Sequence, residues 1–143
     1  MRNLKSLEFV LSGAIFALIA SVPAVAHHSS MYFDMDAEIA HDNVRVLEFE
    51  VANPHGFLIY VVTDGDGNEV EWTAELPSAN FTRRAGIDGS LLSPGDTLDV
   101  VGWPGRGERT RDLIMRLNRA ELPNGDVATF TAISATLTRP GAE

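Results

Sequence analysis

Cysteine is absent from this chain of 143 residues. Its absence excludes disulfide bonds, thiolate metal ligands and catalysis by a thiol. The folded protein must therefore be held together by its hydrophobic core alone, and any metal site has to use ligands other than thiolates. The length is sufficient for one domain with one core and too short for two ordinary domains.

Basic residues are scarce as well. The chain has 11 Lys and Arg residues against 20 Asp and Glu residues, which gives a formal net charge of −9 with neutral histidines. A surface of this charge repels phosphate backbones and anionic lipid headgroups. Nucleic acid and anionic membrane surfaces are therefore not expected partners, whereas a metal ion, a small ligand or another envelope protein is compatible with the charge.

Long apolar runs are missing except near the amino terminus, where residues 9–22 carry no charge. This run is shorter than the ~20 residues that a membrane-spanning helix needs. It follows Arg2 and Lys5 and precedes the sequence Ala-Val-Ala at positions 24–26, the pattern that a signal peptidase cleaves. Residues 1–26 are therefore predicted to be a cleaved signal peptide, with an uncleaved membrane anchor as the alternative. The mature protein is expected to be periplasmic or secreted, soluble and without a membrane span.

Downstream of the leader, residues 27–42 are predicted to form an arm and residues 43–143 a single all-β domain. Alternation of apolar and polar residues predicts three strands, a short helix over residues 79–85, and two or three further strands, the last over residues 127–137. This order predicts a small OB-like barrel of five to six strands with the helix between strands three and four. A small open sandwich is the alternative.

Local patterns add two expectations to this fold. The apolar residues change phase after Val46 in the first strand, which predicts a β-bulge there. Glu69, Glu71 and Glu75 alternate with apolar residues in the third strand and are expected to form a hydrated face.

All four histidines lie in the first third of the chain. Cleavage after Ala26 would make His27 the first residue of the mature protein, so its α-amino group and imidazole could chelate a metal together. His28 and His55 could complete an all-nitrogen site, and such sites suit Cu(II). We therefore interpret His27, His28 and His55 as candidate ligands of copper, in a protein that stores, delivers or senses the metal. His41, next to Asp42, is expected to be a solvent-exposed loop residue.

Two other functions fit the same sequence. The histidines can be structural, in a metal-free envelope module that binds a small ligand or a protein near Trp72 and Trp103. A copper-dependent oxidative enzyme would need an open coordination position at the same site. The sequence contains no nucleophile elbow, phosphate-binding loop or dinucleotide fingerprint, so nothing in it specifies an enzyme.

Several short motifs, taken in order, resemble a bacterial exported family of unknown function, DUF6152. They are His27-His28-Ser29, Tyr32-Phe33-Asp34, Asn53-Pro54-His55, Trp72 with Glu75, Arg83-Arg84-x-Gly86 and Leu92-x-Pro94-Gly95-Asp96. The resemblance covers the mature chain, although Val51 stands where the family has a tryptophan. It implies export and a single small domain, and it implies no reaction.

Overall fold

The computed structural model describes residues 32–107 and 113–141, so the predicted signal peptide, His27 and His28 lie outside the described residues. None of the described helices is long and apolar enough to cross a membrane. The described chain is almost entirely β-structure with one short helix. Its elements are β1 (Ile39–Glu50), β2 (Phe57–Thr63), β3 (Glu69–Glu75), α1 (Ala79–Arg84), β4 (Thr97–Pro104), β5 (Ile114–Glu121), β6 (Val127–Phe130) and β7 (Ala135–Thr138).

Five of the strands form a closed barrel. Strand β1 pairs with β2 on one side and with β4 on the other, β2 pairs with β3, and β4 pairs with β5, all antiparallel. A parallel pairing of β3 with β5 then closes the sheet. This is the connectivity of an OB barrel, with the helix between the third and fourth strands as predicted. Closure removes the open edges of these five strands without any disulfide.

The last predicted strand is two strands in the structure. Strand β6 pairs with β5 and β7 pairs with β6, so the two extend the sheet outside the barrel. Between them, the backbone N–H of Thr131 donates to the carbonyl of Ser134 and closes a tight turn. The periodicity of residues 127–137 indicated strand throughout and did not reveal this reversal, because the turn contains neither glycine nor proline.

Strand β1 is long and changes register twice. Its pairing with β2 shifts between Val46 and Glu48, which confirms the predicted bulge. Its pairing with β4 shifts between His41 and Val44, where Asn43 adopts a positive φ of 52°. The strand begins at Ile39, four residues before the predicted start at position 43, because residues 39–41 pair with β4. These three residues do not alternate in polarity, so the sequence pattern did not indicate a strand there.

Helix α1 follows β3 and precedes β4 in the chain, and backbone contacts stabilise it. Ser78 precedes the helix at its N-cap position, but its side chain makes no capping hydrogen bond. Instead, the backbone N–H of Ala79 donates to the carbonyl of Ala52, which ties the start of the helix to the β1–β2 loop. Gly86 follows the helix with a φ of 78°, a left-handed conformation that glycine adopts readily.

The barrel interior is apolar and tightly packed. Buried side chains from all five strands line it, together with Ile87 and Leu92 from the α1–β4 connection. Gly102 lies on β4 opposite β5, and a Cβ atom there would overlap the backbone carbonyl of Arg116 and the Cε of Met115. The close approach of the two strands therefore depends on glycine at this position.

We predict that Gly102→Ala destabilises the protein by about 1–3 kcal/mol, because the added methyl group has to push β5 or Met115 away. The measurement is the free energy of unfolding in urea. Gly89→Ala is the matched control, because a Cβ at Gly89 meets no atom within 4 Å. Equal stability of the two variants would contradict the tight packing at Gly102.

Candidate functional site

The candidate site lies on the outer face of the barrel, beside the β1–β2 loop (residues 51–56). In OB barrels, ligands bind on the face of strands 2 and 3, between the loops that follow strands 1 and 4. Cross-strand pairing aligns four residues on this face, each from a different strand. We call them the outer row, and they are Phe57, Glu75, Arg116 and Trp103.

His55 lies in the β1–β2 loop at one end of the outer row. Its Nδ1 is 3.3 Å from the carbonyl oxygen of Leu76 and 3.3 Å from Oε1 of Glu75. Both neighbours are hydrogen-bond acceptors, so Nδ1 must carry the proton. We therefore assign the neutral ring to the Nδ1–H tautomer, which leaves the lone pair on Nε2. The side chain is 32% exposed, so the ring is partly accessible from solvent.

The carboxylate that contacts His55 is itself buried. Glu75 is 7% exposed and Arg116 is 1% exposed, and Nη1 of Arg116 lies 3.5 Å from Oε1 of Glu75. The expectation that Glu75 belongs to a hydrated face was therefore wrong. Among the described residues, none donates a hydrogen bond to this oxygen, which lies 3.5 Å from Nη1 of Arg116 and 3.3 Å from Nδ1 of His55. Burial lowers the pKa of Arg116, and the charge of Glu75 opposes that change.

Such an arrangement can present an imidazole nitrogen as a ligand or a base. A histidine that ligates a metal usually donates its other N–H to a carboxylate or a carbonyl, which fixes the orientation of the ring. His55 has both partners. Within the described ranges, however, no three His, Asp or Glu side chains are grouped so that they could hold a metal ion. A metal at His55 would therefore need ligands from the rest of the chain.

His41 is not the exposed loop residue that the sequence suggested. It lies on β1, opposite Val100 of β4, and it is half-buried at one end of the barrel. Its Nδ1 is 2.9 Å from the hydroxyl of Tyr60, and its ring packs at a steep angle on Trp72 with 4.6 Å between centroids. Burial lowers the pKa of His41, while the charge of Asp42 opposes the shift.

The tautomer of His41 follows from the second contact of the Tyr60 hydroxyl. The Tyr60 hydroxyl donates to Sδ of Met115 at 3.0 Å, and a thioether can only accept. Because a hydroxyl has one proton, the Nδ1 of His41 must donate to Tyr60. Burial of the Tyr60 phenol raises the pKa of this residue. His41 therefore belongs to an internal hydrogen-bonded group with Tyr60 and Met115, which is a structural role.

The two tryptophans that were expected near one ligand surface lie on different faces of the sheet. Trp72 is opposite Tyr60 and packs against the core. Trp103 is opposite Arg116 in the outer row. The sequence showed strong alternation around Trp72, and that alternation was the signal for an inward side chain.

The start of the described chain runs alongside the end of β4. Phe33 forms an antiparallel bridge with Gly105. The N–H of Asp34 donates to the carbonyl of Pro104, and the N–H of Arg106 donates to the carbonyl of Tyr32, both at 2.8 Å. His27 and His28 therefore precede a segment that is fixed on the barrel, but their own positions are outside the described residues.

Comparison with known proteins identifies a family but no characterised relative. The sequence profile of a family of unknown function, DUF6152, matches residues 16–114, which is more than half of the chain. No curated protein and no solved structure matches the chain significantly. The match supports the resemblance drawn from the motifs and assigns no activity.

We predict that His41 makes stability depend on pH. The pKa of folded His41 is lower than its ordinary value of 6.5, so the unfolded chain binds the proton more readily. The stabilisation is complete above pH 6.5 and is lost as the pH falls toward the pKa of the folded state. Urea unfolding as a function of pH should show this slope in the wild type and a smaller slope in His41→Gln. Equal slopes below pH 6.5 would contradict the assignment.

We also predict that Arg116→Met destabilises the protein by about 3–5 kcal/mol, because it leaves a buried carboxylate without its cation. The control is Arg119→Met, which removes an exposed arginine of the same strand and should cost less than about 1 kcal/mol. Replacing Glu75 by Leu together with Arg116→Met should recover part of the loss. Thermal or urea unfolding measures all three, and similar losses for the two single variants would refute the prediction.

Proposed function

The chain belongs to the family of unknown function DUF6152, so its function has to be inferred from its own residues, and we propose that it binds copper. The ligands would be the α-amino group and imidazole of His27 in the mature protein, together with Nε2 of His55. His28 is an additional candidate ligand. The protein would be periplasmic or secreted and would store, deliver or sense the metal rather than catalyse a reaction.

The observation that supports this proposal most strongly is the orientation of His55. Its Nδ1 is occupied by the carbonyl of Leu76 and by Glu75, so the neutral ring offers only Nε2 to a ligand. The ring is held in one position and partly exposed, which is the state that a metal-binding histidine needs before the metal arrives. Arg116 lies 3.5 Å from Oε1 of Glu75, so the carboxylate has a cationic partner other than His55.

The chain is also long enough to bring His27 to His55. The arm, β4, β5 and β3 are successive neighbours, so Tyr32 and Glu75 are three strand spacings apart, about 14 Å, with an offset of about 10 Å along the strands. The curvature of the barrel shortens the direct separation to roughly 16 Å. The five Cα-to-Cα steps from His27 to Tyr32 can span at most about 17 Å. The length of the two histidine side chains further reduces the backbone span that binding of one metal by both residues would require.

The proposed ligand set favours Cu(II) among the divalent ions. An amine and two or three imidazoles make an all-nitrogen site, and Cu(II) binds such ligands most tightly in the first-row divalent series. Each ligand must lose its proton or remain neutral to bind. The α-amino group has a pKa near 7.7–8.0 in ordinary peptides, so affinity should weaken as the pH falls below about 7.

A second candidate function, a metal-free envelope module with structural histidines, is favoured by one observation. Phe57 is 36% exposed next to His55, and Trp103 at the other end of the outer row is only half-buried. Exposed aromatic side chains on the ligand-binding face of an OB barrel are suited to a small ligand or a protein segment. In that case the contacts of His55 would serve only to hold the β1–β2 loop.

We predict tight, one-to-one Cu(II) binding by protein that has been exported and cleaved, with intact mass confirming His27 as the first residue. The measurement is competition titration against a chelator of known affinity, with electron paramagnetic resonance reporting nitrogen ligands. His55→Ala should weaken binding at least tenfold, because it removes one of the imidazole ligands.

The matched control carries one additional glycine before His27, which moves the free amine while leaving every side chain in place. Binding that is equally tight in this control would overturn the terminal site. His41→Gln is a second control, since its imidazole belongs to the barrel interior. If wild-type protein with a natural terminus binds copper only weakly, the metal-free module is the better description.

A further inference from the structure

We propose that the outer side of β2 is a docking surface for a segment of a partner protein that carries both basic and apolar side chains. We call this surface the β2 face and define it by five residues: Phe57 and Ile59 of β2, Glu48 and Glu50 of β1, and Glu71 of β3. All five lie within the described residues, and none is a ligand of the proposed copper site.

Alternation along β2 sets which side chains point away from the core. Leu58 and Tyr60 are fully buried members of the barrel core. Phe57, Ile59 and Val61 alternate with them and therefore point outward. None of these three belongs to the core, and the exposed fraction rises from 7% at Val61 to 36% at Phe57. The outer side of β2 is thus an apolar column that becomes more open toward the β1–β2 loop.

Acidic residues flank this column on both sides. Residues that pair directly across antiparallel strands have their side chains on the same face of the sheet. Glu48 lies opposite Ile59, and Glu50 lies opposite Phe57. Glu71 flanks the column from β3. All three glutamates are exposed, and no basic side chain of the described ranges forms an ion pair with them.

An ion pair of the chain itself covers the closed end of the column. Arg45 of β1 is paired with Val61, and its Nη2 lies 2.6 Å from Oε1 of Glu69 in β3. These two strands lie on opposite sides of β2, so the ion pair crosses the outer surface of β2. It accounts for the low exposure of Val61, because the aliphatic part of an arginine covers apolar surface while its guanidinium meets a carboxylate. Where the structure describes the chain, no cation does the same at Ile59 and Phe57.

The charge of the β2 face identifies the chemistry of its partner. A lysine or arginine of another protein can make with the glutamates of β1 the contact that Arg45 makes with Glu69. Apolar side chains next to that cation would cover Phe57 and Ile59 and remove their exposed area from water. Electrostatic complementarity of this kind selects partners and speeds their association.

The same charges disfavour other occupants. A second copy of this chain would bring glutamates against glutamates, because a two-fold contact joins the same patch on both subunits. Carboxylates repel the phosphates of nucleic acid and anionic lipid. A metal ion is disfavoured as well, because no three His, Asp or Glu side chains of the described residues are grouped to hold one. A basic, apolar protein segment is the class that fits.

The test uses the exported protein, freed of metal with a chelator, and three short synthetic peptides. The first alternates arginine and leucine, the second has glutamate in place of every arginine, and the third has serine in place of every leucine. Fluorescence anisotropy of the labelled peptides measures their affinities. The arginine–leucine peptide should bind most tightly, and its affinity should fall as salt is added, because exposed ion pairs are screened.

Substitutions on the β2 face locate the binding. Glu48→Gln/Glu50→Gln should weaken binding of the arginine–leucine peptide about threefold or more, since two exposed ion pairs are lost. Phe57→Ala should weaken it by about the same factor, because it removes apolar contact area. The matched control is Asp36→Asn/Glu121→Gln, which changes the net charge equally but removes exposed carboxylates of the arm and of β5. The control should bind as the wild type does.

Four outcomes would overturn the proposal. They are no binding of the arginine–leucine peptide, an equal loss of affinity in the control variant, equally tight binding of the arginine–serine peptide, and self-association of the wild type that Phe57→Ala abolishes in sedimentation velocity. The second would show that net charge alone attracts the peptide, the third that the apolar column plays no part, and the fourth that a second copy is the occupant. Because the protein is metal-free throughout, none of these outcomes bears on copper binding.

Discussion

The parallel pairing of β3 with β5 is the contact on which the other features of this protein depend. It closes five strands into a barrel by joining Thr73–Glu75 to Ile114–Arg116, segments that are 41 residues apart in the sequence. Parallel pairing requires a long connection, and helix α1 and strand β4 supply it. The same register sets Glu75 opposite Arg116, so closure of the barrel and assembly of the buried charge pair are one event.

The buried pair explains why a single histidine in a loop can be held in one orientation. A carboxylate that is 7% exposed has few alternatives to the groups beside it, and one of these is the Nδ1–H of His55. Nη1 of Arg116 lies 3.5 Å from the same oxygen that contacts His55, so the arginine holds the carboxylate beside the imidazole. The orientation of His55 therefore depends on an arginine sixty-one positions away in the sequence.

The sequence predicted the barrel well because its strands alternate and its turns carry glycine, proline or aspartate. The bulge in β1 was visible as a change of phase, and the OB order followed from the position of the helix. The start of β1 at Ile39 and the interior position of His41 were missed, because strand pairing with β4 imposes them on a segment with no periodic signal. The burial of Glu75 was missed for a related reason. A glutamate in an alternating strand predicts a solvent-exposed side chain, and only the tertiary pairing with Arg116 shows that this one is buried.

The two halves of the proposed site differ in when they form. His55, Glu75 and Arg116 take their positions when the barrel closes, which needs no metal and no particular amino terminus. Under the proposal, the amine of His27 would become a ligand only after a peptide bond is cleaved, since an amide nitrogen in the precursor has no comparable basicity. Under this proposal, export itself would complete the copper site, and the uncleaved precursor would carry a folded barrel with half of its ligands.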